Sequence, residues 1–206
     1  MSLVNRVYAG HHKTVFILLY LMFYSYDDTK KDSYAVAINV PRNQCQGNFD
    51  PLNEHFLTLE NATCVRNAIY NTANQFYKGE DLMAAGPPCN CKIIENCKSK
   101  SVSVLLQNDS CLTFKNFLQH RENDSCIVIY TVYSPCLKSS GYNIIPNLEN
   151  LKHHTGIKAF VFKKVYEVDE NDHRCSDLAK NFTEIVRRVP FYRFVNKTVL
   201  PITNKC

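Results

Sequence analysis

A chain of 206 residues, 45% of them hydrophobic and 12% aromatic, is long enough to build one domain with a sizeable core, which excludes wholesale disorder. The formal net charge of +5 comes from basic residues scattered among acidic ones, so it argues only weakly for a nucleic-acid surface. With six glycines and no Gly-x-Ser-x-Gly, P-loop or Gly-x-Gly-x-x-Gly string, the sequence argues against a glycine-rich phosphate loop and a hydrolase nucleophile elbow.

The N-terminal segment has the composition of a leader. Val15–Tyr26 is a run of twelve residues without a charge, and Arg6 and Lys13 precede it. This length suits a signal peptide and is too short for a transmembrane helix, which needs about 20 residues. No small-x-small cleavage site follows, so a short uncleaved anchor is the alternative. The sequence predicts a leader over residues 1–28, a single domain over residues 29–206 and no stable membrane span.

The first half of the predicted domain contains few regular elements. Tyr34–Val40 is typical of a strand, and Ala62–Tyr77 carries apolar residues on one face of a helix. Ser101–Gln107 is ambiguous between strand and helix. Ala84–Cys97 is predicted to be irregular, because it contains a proline pair and three closely spaced cysteines.

The second half alternates between helices and strands. Helices are predicted over Leu112–His120, Asn143–His153 and Asp177–Val189, and strands over Ile127–Tyr133 and Ile157–Val168. Two short strand candidates, "FYRFVN" and "VLPIT", follow. Alternation on this scale predicts crossover connections. We therefore expect a three-layer α/β domain, with a central, mostly parallel mixed sheet and helices on both of its faces.

Cysteines and glycosylation sequons indicate an oxidising, secretory environment. Ten cysteines are dispersed along the chain, which is typical of a disulfide framework, and five sequons accompany them. A metal knuckle is the alternative for the three cysteines of Ala84–Cys97. The disulfide candidates are Cys45, Cys64, Cys89, Cys91, Cys97, Cys111, Cys126, Cys175 and Cys206. The sequon asparagines are Asn61, Asn108, Asn123, Asn181 and Asn196. The sequence predicts a secreted, glycosylated, disulfide-stabilised protein.

Ile129–Gly141, "IYTVYSPCLKSSG", places a Pro-Cys pair at the end of a predicted strand. Zinc-dependent deaminases hold Zn²⁺ with a His and the two thiolates of P-C-x-x-C, and the Glu of H-x-E moves protons. Cys136 fits the first thiolate, but Ser139 stands at the position of the second. The window for the first motif, Lys98–Gln107, contains neither His nor Glu. The sequence therefore keeps the strand and the Pro-Cys pair of this site, but it lacks the second thiolate, the His and the Glu.

Other histidines do not complete the motif. The string His120–Glu122 reads H-x-E, but it ends a predicted helix sixteen residues before Cys136, so we expect it not to reach that thiol. Asn53–His55 has the reverse order and lies in a predicted loop. The pair His153-His154 is predicted to end a helix, where the helix dipole favours a protonated histidine.

Two segments resemble the core of the AID/APOBEC-like cytidine deaminases, and more closely the secreted branch of that family. They are "CIVIYTVYSPCLKS" at Cys126–Ser139 and "GIKAFVFKKVYE" at Gly156–Glu167. The strand "YAVAINVP" at Tyr34–Pro41 is similar to the first strand of that branch, and the resemblance extends from there to Val189. It implies a cytidine deaminase-like fold stabilised by disulfides.

Carried over residue by residue, the resemblance leaves one zinc ligand, Cys136. The family's His and Glu would fall near Lys100–Val102, where neither occurs. The resemblance therefore implies a fold that has lost its activity, with no assigned catalytic residue and Cys136 as a residual metal ligand, a free thiol or a disulfide partner.

The leading hypothesis is a secreted pseudo-deaminase that acts by binding, with extracellular nucleic acid or nucleotides as the expected partners and no cofactor. The alternative is an active zinc-dependent deaminase with a rearranged site, in which Cys136, His120 and Glu122 take part. A third hypothesis is a secreted structural or immune-recognition domain whose Pro-Cys match is fortuitous. The sequence leaves the oligomeric state open.

Overall fold

The computed structural model describes residues 33–45, 56–71, 73, 75–86, 101–106, 114–135, 143–166, 182–196 and 198–202. The strands in these ranges are β1 (Ala35–Val40), β2 (Phe76–Lys78), β3 (Leu82–Ala85), β4 (Cys126–Tyr133), β5 (Lys158–Lys164), β6 (Phe191–Val195) and β7 (Thr198–Pro201). The α-helices are α1 (Ala62–Tyr70), α2 (Ser101–Leu106), α3 (Phe114–Gln119), α4 (Ile145–Leu148) and α5 (Thr183–Val186). Short 3₁₀ turns cover Arg42–Cys45 and Glu149–Leu151. The predicted leader, residues 1–28, lies outside the described residues.

The seven strands form one mixed sheet in the order β2-β3-β1-β4-β5-β6-β7. In this described sheet only the β4–β5 and β5–β6 pairs are parallel, and the other four neighbouring pairs are antiparallel. The expectation of a mostly parallel sheet was therefore wrong. The connections explain two of these pairs: β2–β3 and β6–β7 are joined by very short turns, which can link only antiparallel strands.

Helices cover both faces of the sheet, as predicted for a three-layer α/β domain. Val65 and Ile69 of α1 belong to the core on one face, together with Val128 and Val161 from the central strands. The core on the other face receives side chains from α2 to α5. All residues of β1 and β4 are buried, because both faces of the sheet are covered at these central strands, which explains their nearly continuous apolar sequences.

Two elements end or begin where the sequence did not indicate. The helix predicted over Ala62–Tyr77 ends at Tyr70, because the Asn71 side chain accepts a hydrogen bond from the backbone N–H of Ala73 at 2.8 Å and Gln75 adopts a φ of 48°. The chain then forms β2. Leu82–Ala85 is a fully buried strand, although the prediction of an irregular segment began at Ala84.

Other boundaries agree more closely. The ambiguous segment at Ser101–Gln107 is helical over Ser101–Leu106, and the two terminal strand candidates are β6 and β7. The helix predicted over Asp177–Val189 is present at Thr183–Val186, and residues 167–181 lie outside the described part of the chain.

A buried disulfide joins Cys45 to Cys126, with a Cα–Cα distance of 6.3 Å. It links the 3₁₀ turn after β1 to the first residue of β4, and it confirms the predicted disulfide for these two candidates. Cys64 lies exposed on α1 and is bonded to none of the described cysteines. The other cysteine candidates, and Cys136, lie outside the described residues. None of the described helices has the length and apolar character needed to cross a membrane.

Candidate functional site

The end of β4 holds Ser134, the first residue of the Ser-Pro-Cys string, in a fixed position. Ser134 is fully buried, and its backbone N–H donates to the carbonyl of Lys164 at 2.8 Å. Its Oγ accepts a hydrogen bond from the backbone N–H of Tyr166 at 2.9 Å. The chain leaving β4 is thereby tied to the chain leaving β5, and Pro135 is the last described residue before Cys136. Cys136 and Ser139 themselves lie outside the described residues.

The window in which the resemblance expects the family's His and Glu, Lys100–Val102, overlaps the first turn of α2. Ser101, Val102 and Ser103 are all buried in this turn, and α2 packs on β1 and β3. The Oγ atoms of Ser101 and Ser33 are 3.0 Å apart, which connects the helix to a residue two positions before the first strand. The described residues of the expected window, Ser101 and Val102, are therefore a hydroxyl and an apolar side chain in a buried helical turn.

A further buried hydroxyl lies on β4, close to the end of that strand. Thr131 pairs with Ala35 on β1 and with Phe162 on β5, and both of these residues belong to the core on the α2 face. The Thr131 Oγ1 atom is buried and has no hydrogen-bond partner among the described residues. The described side chains at this end of the sheet thus offer hydroxyl groups rather than imidazole, carboxylate or thiolate groups.

These hydroxyls do not fit a catalytic zinc ion. Zn²⁺ in proteins is held by thiolate, imidazole or carboxylate ligands, which are deprotonated when they bind. Within the described ranges no three His, Cys, Asp or Glu side chains lie close enough to hold a metal ion. The described part of the site therefore contributes no recognised zinc ligand.

The H-x-E string lies at the other end of β4. Arg121 donates from Nε to the carbonyl of Asn39 at 2.9 Å and forms an ion pair with Asp81. Asn39 pairs with Ile127, the second residue of β4. Ser134 lies seven residues further along the chain, a distance on the order of 20 Å in an extended strand. The neighbouring His120 is half exposed and lies 3.7 Å from a carboxylate oxygen of Glu80.

A compact polar cluster surrounds the start of β4. Ser125 Oγ donates to Asn39 Oδ1 at 2.6 Å, and Asn39 Nδ2 donates to the carbonyl of Phe117 at 2.9 Å. The His154 Nε2 atom lies 2.7 Å from the carbonyl oxygen of Ser125, and burial lowers the pKa of this histidine. A neutral imidazole that donates from Nε2 satisfies this geometry. The cluster joins β1, α3, β4 and the segment before β5, so its role is to anchor the fold.

Sequence analysis missed the burial of His154, which was predicted only to end a helix. It does follow a 3₁₀ turn, but its ring lies against the carbonyl of Ser125, the residue before β4, which is 29 residues away along the chain. One sequence feature could have indicated a buried polar cluster: Asn39 is a polar residue inside an otherwise apolar strand, and a buried amide requires hydrogen-bond partners. The candidate string Asn53–His55 lies outside the described residues.

Comparison with known proteins agrees with the architecture. A family model described as Secreted Novel AID/APOBEC-like Deaminase 1 matches residues 19–206, which is most of the chain. No curated protein and no solved structure gave a match. The family match spans every described strand, including the Ser-Pro end of β4 and the first turn of α2. The chain therefore belongs to the Secreted Novel AID/APOBEC-like Deaminase 1 family and is a secreted protein with a deaminase-like fold.

Proposed function

We propose that this protein is a secreted pseudo-deaminase, which keeps the AID/APOBEC-like fold, lacks an intact zinc site and acts by binding nucleic acid or nucleotides. The observation that carries the proposal is the first turn of α2. The resemblance places the expected His and Glu near Lys100–Val102, and two residues of that window, Ser101 and Val102, are buried in this turn. Ser139 in place of the second thiolate supports the same conclusion.

The chemistry of deamination explains why these replacements matter. A bound zinc ion lowers the pKa of its water to about 7, so that hydroxide can attack the base, and the family's Glu moves the protons. A serine hydroxyl keeps its proton at neutral pH, so neither Ser101 nor Ser103 replaces an anionic or imidazole ligand. Cys136 alone would leave a zinc ion with one of its three protein ligands.

Metal content and turnover test this proposal on the purified secreted protein. We expect far less than one zinc per chain by mass spectrometry and no conversion of cytidine or of single-stranded DNA cytosines. The Cys136→Ser variant should give the same two results as the unsubstituted protein. Stoichiometric zinc that is lost in Cys136→Ser, together with turnover, would overturn the proposal. Additional loss of zinc in His120→Gln would favour the rearranged active site instead.

Glycosylation is a second part of the proposal. Asn61, Asn123 and Asn196 are exposed, whereas Asn108 and Asn181 lie outside the described residues. Asn61 caps α1: its Oδ1 accepts a hydrogen bond from the backbone N–H of Cys64 at 3.0 Å. The cap uses only the amide oxygen, so the amide nitrogen is left for a glycan. We propose that a glycan and the helix cap coexist on Asn61.

Two substitutions separate the glycan from the cap. Thr63→Ala removes the sequon and keeps Asn61, whereas Asn61→Gln removes the sequon and the cap together. Both variants should lose the mass of one glycan in intact-mass spectra of the secreted protein. After enzymatic removal of all glycans, only Asn61→Gln should be less stable, by about 1 kcal/mol, the usual value of an N-cap. If Thr63→Ala does not lose the mass of a glycan, Asn61 carries no glycan in the unsubstituted protein.

A further inference from the structure

A cavity of about 430 Å³ opens at the end of the sheet opposite Ser134. It is bordered by the first residues of β5 and β6, by the last residue of β7 and by the segment that follows α5. Ser134 follows the carboxyl end of β4, which runs parallel to β5, so the two places are separated by roughly the length of a strand, on the order of 20 Å. The size is within the range of small-molecule sites.

Four cationic side chains line this cavity: Lys152, Lys158, Arg187 and Arg188. Two carboxylates border them. Glu149 pairs with Lys152 and with Arg188, and Glu184 pairs with Arg187 and Arg188. The Lys158 ammonium donates only to backbone carbonyls among the described residues, those of Leu151 at 2.7 Å, His154 at 3.0 Å and Lys152 at 3.5 Å. Four positive and two negative charges leave a local excess of two positive charges.

The guanidinium of Arg188 is held in a defined orientation. Its Nε donates to Glu149 at 2.7 Å, and its Nη1 donates to the Glu184 carboxylate at 2.8 Å. Its Nη2 makes no hydrogen bond to a described residue, and the side chain is 18% exposed. The side chains of Lys152 and Arg187 are more exposed, at 53% and 69%. A fixed guanidinium flanked by solvent-accessible cations is a favourable arrangement for an oxyanion.

The rest of the cavity wall is apolar. Val186 is one of three large hydrophobic side chains that are exposed among the described residues. Pro190 and Pro201 continue this surface. A bare phosphate or sulfate ion would leave this wall uncovered, and a sugar sulfate would place hydroxyl groups against it. A nucleobase offers a flat, largely apolar face.

We propose that this cavity binds a nucleoside monophosphate, with the phosphate at Lys152, Arg187 and Arg188, the Lys158 ammonium adding its charge nearby, and the base against the apolar wall. A phosphate monoester carries nearly two negative charges at pH 7, which balances the local excess. This cavity is then the site of the nucleotide binding proposed above, and the assignment rests on that part of the proposed function. Zinc in the protein would overturn the pseudo-deaminase proposal and leave this site intact, whereas failed binding here would leave the zinc result unchanged.

Calorimetric titration of the secreted full-length protein tests the site. We expect uridine 5′-monophosphate to bind, and inorganic phosphate, uridine and glucose 6-sulfate each to bind at least about tenfold more weakly. The double variant Lys152→Glu/Arg187→Glu should lose about tenfold or more in affinity for the nucleotide, since a tenfold loss needs only about 1.4 kcal/mol. Higher salt should weaken binding to the unsubstituted protein.

The matched control is Lys115→Glu, which reverses an exposed charge on α3, outside the cavity lining. It should keep nucleotide affinity within about twofold. If the double variant unfolds at a lower temperature than the control, the neutral pair Lys152→Ala/Arg187→Ala replaces it. The proposal is overturned if the nucleotide does not bind, if inorganic phosphate or glucose 6-sulfate binds equally well, or if Lys115→Glu weakens binding as much as the cavity variants do.

Discussion

Replacing both Cys45 and Cys126 with alanine should lower the free energy of unfolding by about 4.5 kcal/mol, according to the chain-entropy model of disulfides. The bond connects residues separated by 81 positions, so its loss allows the unfolded chain many more conformations. Both sulfur atoms also lie in the core, where Cys45 is 2% exposed and Cys126 is fully buried. The double variant therefore also loses packing around the start of β4.

Urea unfolding followed by circular dichroism measures this loss. Cys64→Ala is the control, because Cys64 is exposed on α1, and it should change the free energy of unfolding by less than about 0.5 kcal/mol. A double variant that loses less than about 1 kcal/mol would contradict the expected stabilisation. A loss in Cys64→Ala equal to that of the double variant would show that Cys64 has a structural partner.

Gly156→Ala should lower the free energy of unfolding by about 3 kcal/mol or more, because no room exists for a side chain at this position. A Cβ atom on Gly156 would lie 2.0 Å from the carbonyl oxygen of Ser125 and 2.3 Å from that of Asp124. These oxygens belong to the backbone, and the Ser125 carbonyl is also bonded to His154. The segments before β4 and β5 would have to separate at the polar cluster.

Thr155→Ala is the matched control for this substitution. Thr155 precedes Gly156, is exposed, and its Oγ1 donates to the carbonyl of Asn123 at 3.1 Å. Loss of one exposed hydrogen bond should cost no more than about 1 kcal/mol. Equal unfolding midpoints for Gly156→Ala and Thr155→Ala would show that the two segments can separate at little cost.

Long apolar runs made the central strands predictable. β1, β4 and β5 are rich in Val, Ile, Tyr and Phe, and burial on both faces of the sheet requires this composition. The strands β2 and β3 have only three and four residues, so they contain too little periodicity to be recognised. Their position in the sheet depends on pairing with each other and with β1.

The candidate site was only partly predictable. The sequence located the Ser-Pro-Cys string at the end of a strand and showed that the H-x-E window contains no His or Glu. It left Ser101–Gln107 ambiguous, because a short apolar run has no clear period. The contacts of α2 with β1 and β3 decided this in favour of a helix, with Ser101 beside Ser33.

The sequence by itself determined the secretory character, the α/β class and the central strands, because these properties depend on composition and on local hydrophobic pattern. Only the tertiary structure decided the mixed direction of the sheet, the partner of Cys45 and the burial of His154. It also brought Lys152 and Lys158 together with Arg187 and Arg188 around one cavity. These features depend on contacts between residues far apart along the chain, and the chain must fold before such contacts exist.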